Sequence, residues 1–378
     1  MNNYDNPYQY PEPFDPSYLN TAIGSARRAM GSDHAPRETV PAIMTDELSF
    51  GVVLLTEHLA DGSATRHRDE VAETARLAES LGYDSLWVGE HHFTDRIYFD
   101  NFQTLSYLAA VTSSIRLGTS ICLAPLHNPA MVAERAANLD VLTDGRFTFG
   151  VAAGYREAEF EVAGVDHSKR GDVLDETLDV VEALWERDGV GYDGEQFQFE
   201  DVSINPKPVQ EGGPPVWVGG TGPRPVRRAA TRGDAWFVDP RVSVPKLERP
   251  AAYYDEQLEA GDREPSERPI WREVFVAETT EEAVETARPH LIEKYGTYLS
   301  WGAEDGVGGD SVDAAFEDLA ADRFVLGTPE AVVEEIERYQ REFGMDHLVL
   351  RSRWAGMPPE PEAESLRLLA EEVMPHFE

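Results

Sequence analysis

The residues best suited to chemistry are Glu90, His91 and His92, consecutive in Glu90-His91-His92-Phe93-Thr94. Two imidazoles and a carboxylate supply proton donors and acceptors that work near neutral pH. They follow an apolar run, Ser85-Leu86-Trp87-Val88-Gly89, that reads as a buried strand. In a barrel of alternating strands and helices, residues just past the carboxyl ends of the strands face the ligand. A solvated loop or a helix cap is the plainer reading of the same stretch. A metal centre is another, but adjacent histidines on extended chain point to opposite sides, and no His-x-x-x-His or Cys-x-x-Cys spacing supplies partners. No metal is expected.

A second element is Pro215-Val216-Trp217-Val218-Gly219-Gly220-Thr221-Gly222-Pro223, a strand that runs through glycines into a helix containing Val226, Ala229 and Ala230. Glycines let backbone N–H groups approach an anion, and a helix amino terminus adds favourable partial charge, so Gly219, Gly220, Thr221 and Gly222 are candidates to hold a phosphate. An ordinary turn is the alternative. A dinucleotide fingerprint fails, because Pro225 occupies the place of the third glycine. A third element, Gly150-Val151-Ala152-Ala153-Gly154-Tyr155, ends a strand in small residues, where a flat ring has room beside the backbone of Ala153, Gly154 and Tyr155. The same residues serve packing equally well. Gly118-Thr119-Ser120-Ile121 alternates between the two faces of a strand and says little alone. His58 and His127 are weaker candidates for the same rim, with structural roles as the alternative.

These groups need a scaffold. Apolar runs near Phe50–Leu55, Ser85–Gly89, Ile115–Leu123, Phe147–Ala152, Val216–Gly219, Ala235–Val238, Arg272–Val276 and His347–Leu350 alternate with amphipathic segments, which predicts a parallel sheet wound by helices. Val71, Ala75, Ala78 and Leu81 share one helical face and stop at Gly82; Leu174, Leu178, Val181 and Trp185 line another. Thr328-Pro329-Glu330 opens a helix that ends at Gly344. Eight such units predict a single (β/α)₈ TIM barrel over residues 46–378, behind a loosely ordered extension over residues 1–45. Met44, just before the first strand, is an alternative translational start. Gly191 to Pro208 reads as an inserted hairpin, and the Gly- and Asp-rich stretch Gly296–Asp322 as a long, lid-like loop.

Composition narrows the partners. A formal charge of −37 over 378 residues argues against nucleic acid or an anionic membrane. Lys169, Lys207, Lys246 and Lys294 are the only lysines, and the carboxylate excess suggests adaptation to high salt. No apolar span or signal core is present, so a cytoplasmic protein is expected. Cys122 is the only cysteine and lies in an apolar run, which excludes an internal disulfide and reads as an inert thiol.

Taken in order, these motifs resemble the bacterial luciferase-like family of flavin-dependent oxidoreductases, from Leu48 to Phe377. The resemblance is carried by Glu90-His91-His92-Phe93-Thr94, by Asp144-Gly145-Arg146-Phe147-Thr148-Phe149-Gly150, and by Asn205-Pro206 leading through Gly212-Gly213-Pro214-Pro215. Gly327-Thr328-Pro329-Glu330 and Val373-Met374-Pro375 extend it. It implies reduced FMN at the carboxyl-end face, His91 as catalytic imidazole with Glu90 beside it, and a non-prolyl cis peptide between Ser120 and Ile121 behind the ring. Thr119, Ala153, Gly154 and Tyr155 would line the cofactor and Gly219 to Gly222 hold its phosphate. Ala152 and Ala153 stand where bacterial luciferase has its reactive cysteine and phosphate-gripping arginine, so light emission is not expected; Arg224, Arg227 or Arg228 would take over the phosphate. The implied reaction is oxygenation of a small organic substrate by O₂, with reduced flavin from a separate NAD(P)H-dependent reductase. Alternatives are hydride transfer from an 8-hydroxy-5-deazaflavin coenzyme, beside Glu90 and His91, and a non-catalytic flavin-binding protein. A homodimer is expected.

Overall fold

Strands that are apolar on both faces need cover on both sides, and helices following each strand provide it. The computed structural model, which describes residues 48–59, 62–302 and 316–378, has that form. Its first half runs β1 (Ser49–Val53), β2 (Glu57–His58), α1 (Ala64–Ser80), β3 (Ser85–Val88), β4 (Ile97–Tyr98), α2 (Asn101–Ala109), β5 (Arg116–Thr119), α3 (Pro129–Leu142), β6 (Phe147–Val151), α4 (Glu157–Ala163) and α5 (Arg170–Glu186). The hairpin β7 (Val190–Asp193) and β8 (Gln198–Val202) follows, antiparallel as expected. Then come β9 (Val216–Gly219), α6 (Pro223–Arg232), β10 (Ala235–Phe237), α7 (Val244–Gly261), β11 (Pro269–Val276) and α8 (Thr280–Ser300). The chain ends with α9 (Phe316–Ala320), β12 (Phe324–Gly327), α10 (Pro329–Phe343), β13 (His347–Arg351) and α11 (Pro359–Leu368).

Eight parallel strands pair in the order β10-β9-β6-β5-β3-β1-β13-β11, and a parallel bridge between Val238 and Ile270 joins the ends into a barrel. Outward residues such as Leu86, Val88, Phe149 and Val218 meet the helices. Inward residues Val53, Trp87, Trp217, Phe237 and Val349 fill the barrel, with Trp87 stacked on Trp217 at a centroid separation of 4.5 Å. Gly118 exists for that stack: a Cβ there would lie 2.2 Å from the Trp87 ring.

All eight expected strands are present, with some boundaries moved. β11 begins at Pro269 rather than Arg272, and the third strand stops at Thr119. β12 is additional; it pairs with Glu273–Val276, the half of β11 that runs on past β13. The expected loop from Gly296 is corrected at its start, where α8 continues to Ser300 and seals part of the barrel mouth with Tyr298. It is corrected at its other end too, where α9 occupies Phe316–Ala320; residues 303–315 between them, and the expected amino-terminal extension, lie outside the described residues. No helix among the described residues is long and apolar enough to cross a membrane.

Candidate functional site

Because the barrel strands are parallel, their carboxyl ends share one rim, and the chain passes that rim at every site predicted from sequence. His91 follows β3, Ile121 follows β5, Ala152 to Tyr155 follow β6, and Gly219 to Gly222 end β9. His91 and the glycine turn therefore belong to the same end of the molecule.

One side of the rim is built from small residues. Gly89, Gly150, Ala152 and Gly219 surround the Ser120–Ile121 peptide bond, which is cis. A Cβ at Gly219 would come within 3.6 Å of both Ala152 Cβ and Ile121 Cγ2, so these ends converge. Ser120 is buried, and its Oγ has no hydrogen-bond partner. Thr119 departs from its expected part in lining a cofactor: fully buried, it donates from Oγ1 to Gly150 O at 2.7 Å and braces β5 against β6. Gly154 takes φ +76°, which turns the chain beneath Tyr155.

The glycine turn after β9 is narrow. Gly220 has φ +126°, and a Cβ there would meet Pro225 Cβ at 2.6 Å; Trp236 Nε1 donates to Gly220 O at 2.7 Å. Pro223 and Pro225 open α6 without N–H groups, so the backbone N–H groups at this turn belong to Gly220, Thr221, Gly222 and Arg224. Of the three arginines proposed for a phosphate, Arg228 is ruled out, because it is buried against Asp175 and donates to Gly171 O. Arg224 is exposed at the first turn of α6. Arg170, at the start of α5, donates to Gly154 O and stands near Ala153, which carries no charge of its own.

Opposite the small residues, the histidines are held by two carboxylates. His91 Nδ1 is 3.2 Å from Glu159 Oε1, and the same oxygen accepts from His92 N at 2.9 Å. Glu159 lies on α4 with a side chain only 1 % exposed, and sequence reading missed it; an acid opening a helix just after a small-residue strand end was the available signal. His91 Nδ1 faces Glu159, and its Nε2 has no hydrogen-bond partner among the described residues. Tyr98, Tyr155, Tyr298 and Trp301 surround the His91 ring at centroid separations of 5.4, 6.2, 6.4 and 5.0 Å. Burial pushes the Tyr155 phenol up to about 12, and its hydroxyl has no partner.

Glu90, expected as a catalytic group, has both carboxylate oxygens engaged by protein donors. Its Oε1 accepts from His92 Nε2 at 2.9 Å and His127 Nε2 at 3.0 Å, and its Oε2 accepts from Leu123 N at 2.6 Å. Burial opposes its charge, yet the bonds from His127 and His92 prevail and hold the carboxyl down at about 2. The bond to Glu90 in turn raises His92. Cys122 shares this pocket, fully buried, and burial pushes its thiol well above the ordinary range, which disfavours a thiolate ligand or nucleophile. His127 thus joins the Glu90 cluster, whereas His58 lies outside it, with its ring tilted against His67 at a centroid separation of 4.7 Å.

The rest of the rim is charged. Arg241 pairs with Asp239 and covers the Tyr155 ring at 4.8 Å; Lys294 pairs with Glu273; Arg96 donates to Glu57 at 2.8 Å. Arg351 ends β13 among them.

Comparison with known proteins gives a consistent result. A family profile described as luciferase-like monooxygenase matches residues 48–347. The chain is 28 % identical over 350 residues to the oxygenase component of a flavin-dependent trigonelline monooxygenase from Acinetobacter baylyi, covering 87 % of this chain and 96 % of that protein. It is 28 % identical over 348 residues to limonene 1,2-monooxygenase from Rhodococcus erythropolis, covering 88 % of each. Among solved structures, the monooxygenase RslO1 from Streptomyces bottropensis superposes with a TM-score of 0.79 at 25 % identity, covering 88 % of this chain and all of that one.

Proposed function

The chain belongs to the luciferase-like monooxygenase family, and from that premise we propose that it is a flavin-dependent monooxygenase whose reduced FMN lies against the small-residue side of the rim. The observation that carries this placement is the convergence of Gly89, Gly150, Ala152 and Gly219 on the cis Ser120–Ile121 bond, with His91 on the same rim. A flat ring system fits there, and the unpartnered Ser120 Oγ and Tyr155 hydroxyl offer it polar contacts. The amides of Gly220, Thr221 and Gly222 would hold the phosphate, with charge from Arg224 and Arg170. The bound reduced flavin supplies the activation of O₂.

The protein's own residues do the rest. Glu159 fixes the His91 tautomer, so that Nε2 accepts or returns a proton at the reacting edge. Tyr98, Tyr155, Tyr298 and Trp301 keep water from that edge. Glu90 holds His92 and His127 in place behind it. A deazaflavin reading would call on Glu90 beside the ring; both its oxygens are already engaged, which favours FMN. The designation of the trigonelline relative as an oxygenase component supports a separate flavin reductase here. The proposal includes a cytoplasmic homodimer.

Titration of the protein with reduced FMN and with the deazaflavin coenzyme, followed by tryptophan quenching, tests the reading. FMN is expected to bind more tightly, and His91→Ala to keep that binding while turnover falls by about 10² to 10⁴-fold. An enzyme that retains full turnover without His91 overturns its role.

A further inference from the structure

We propose that Arg351 anchors a carboxylate on the substrate, so that this rim selects small, ring-containing acids. Arg351 is 7 % exposed, its Nε has no hydrogen-bond partner, and no carboxylate lies within 4.0 Å of its guanidinium among the described residues. Every neighbouring cation is matched. Arg96 donates to Glu57 at 2.8 Å and to Glu293 at 3.0 Å, Lys294 pairs with Glu273, and Arg241 pairs with Asp239. The second oxygen of Glu273 accepts from Trp354 Nε1 at 2.6 Å, so Glu273 and Glu57 act on the Arg351 guanidinium only through space, without a direct ion pair among the described residues.

A guanidinium stays charged at any pH a protein meets, and a buried donor of that charge left without a hydrogen-bond partner is costly. A planar carboxylate is its natural complement, held by two parallel bonds. A second donor waits beside it: Trp271 Nε1 is buried and unpartnered, and its ring lies 6.0 Å from Arg351 Cζ.

The position suits a substrate rather than the flavin ring. Counting round the barrel, β13 is four strands from β6, so Arg351 faces the small-residue side across the mouth. The groups that act most on the Arg351 charge are Tyr298, Glu273, Glu57 and Tyr98, and the rings of Tyr298 and Tyr98 pack on His91. An acid gripped by Arg351 therefore places its ring beside the His91 imidazole. What then happens to that ring rests on the oxygenase reading; binding of the acid does not.

The test uses the whole protein and three acids, benzoate, nicotinate and hexanoate, each against its neutral amide, with binding read by calorimetry. At least one of the ring acids, benzoate or nicotinate, is expected to bind ten or more times tighter than its amide and tighter than hexanoate, with the preference over the amide lost in Arg351→Met and partly kept in Arg351→Lys; hexanoate binding as tightly as both ring acids overturns the ring selectivity. Equal binding of acids and amides by the parent overturns the anchor, as does an acid preference that survives Arg351→Met. FMN affinity is measured in parallel and should change less than twofold; a tenfold loss in Arg351→Met with acid preference intact assigns the guanidinium to the cofactor and also overturns the proposal. A parent that prefers acids yet takes up no FMN supports the anchor and sinks the flavin reading alone.

Discussion

Replacing Glu90 by Gln should expose how much of the site's architecture depends on one buried charge. The carboxylate collects three donors: His92 and His127 on Oε1 and the Leu123 amide on Oε2. A glutamine can turn its oxygen to the histidines only by aiming its NH₂ at the Leu123 N–H, donor against donor. Glu90 is lowered from 4.5 to about 2 in the folded protein. At about 1.36 kcal/mol for each factor of ten in proton affinity, that corresponds to about 3 kcal/mol of stability. The sign follows from the depressed value: the contribution is complete above pH 4.5 and disappears as pH falls toward 2. Urea unfolding of parent and Glu90→Gln, in molar salt to quiet the surface charges, should differ by about 3 kcal/mol at pH 7 and converge near pH 2. Equal stability at pH 7, or a difference that ignores pH, would refute the assignment of Glu90 as the charge organising this cluster.

Two further outcomes test the surroundings. Glu159→Gln keeps an acceptor for His91 and His92 but loses the charge; exchanging a charge-assisted bond for a neutral one costs about 1.4 kcal/mol, so kcat should fall about tenfold with FMN affinity unchanged. Unaltered turnover would reduce Glu159 to a packing residue. Thermal melting across a salt series addresses the charge of −37: the melting temperature should climb steeply from dilute to molar salt as carboxylate repulsion is screened, and a flat profile would discard salt adaptation.

The barrel was legible because its strands are buried on both faces and so appear as unbroken apolar runs, each stopped by glycine or a polar turn. What escaped was long-range. Phe324-Val325-Leu326-Gly327 is as apolar as any barrel strand, but its partner is the overhanging half of β11, and no local pattern announces such a partner. Gly296 looked like a loop residue, yet α8 carries it through, because propensity is a weak prior when tertiary contacts such as Tyr295 in the core hold the helix. At the site, residue types identified the histidines, while the division of labour between Glu90 and Glu159 followed from burial and from a separation of 68 positions along the chain between His91 and its acid. Arg228 failed as a phosphate ligand for the same reason: Asp175, on another helix, had already claimed it.

The amino-terminal end of the same barrel shows why geometry alone does not make a site. There Trp87 Nε1 donates to Ser85 Oγ at 2.8 Å, Ser85 Oγ lies 2.9 Å from His347 Nε2, and His347 Nδ1 lies 2.6 Å from Glu267, which also pairs with Arg116. Serine, imidazole and carboxylate are in the order of a nucleophilic triad. Yet Ser85 and His347 are fully buried, and a Cβ on the facing Gly51 would already lie 2.3 Å from Ser85 Oγ, so no substrate atom has space to reach the hydroxyl. The cluster satisfies polar groups where the strands begin and plugs that end. At the other end, glycine and alanine stand where β3, β6 and β9 finish, and the space they leave is what lets the imidazole of His91 meet a ligand at all. Chemistry is confined to one mouth of this barrel by the distribution of small side chains, more than by the distribution of reactive ones.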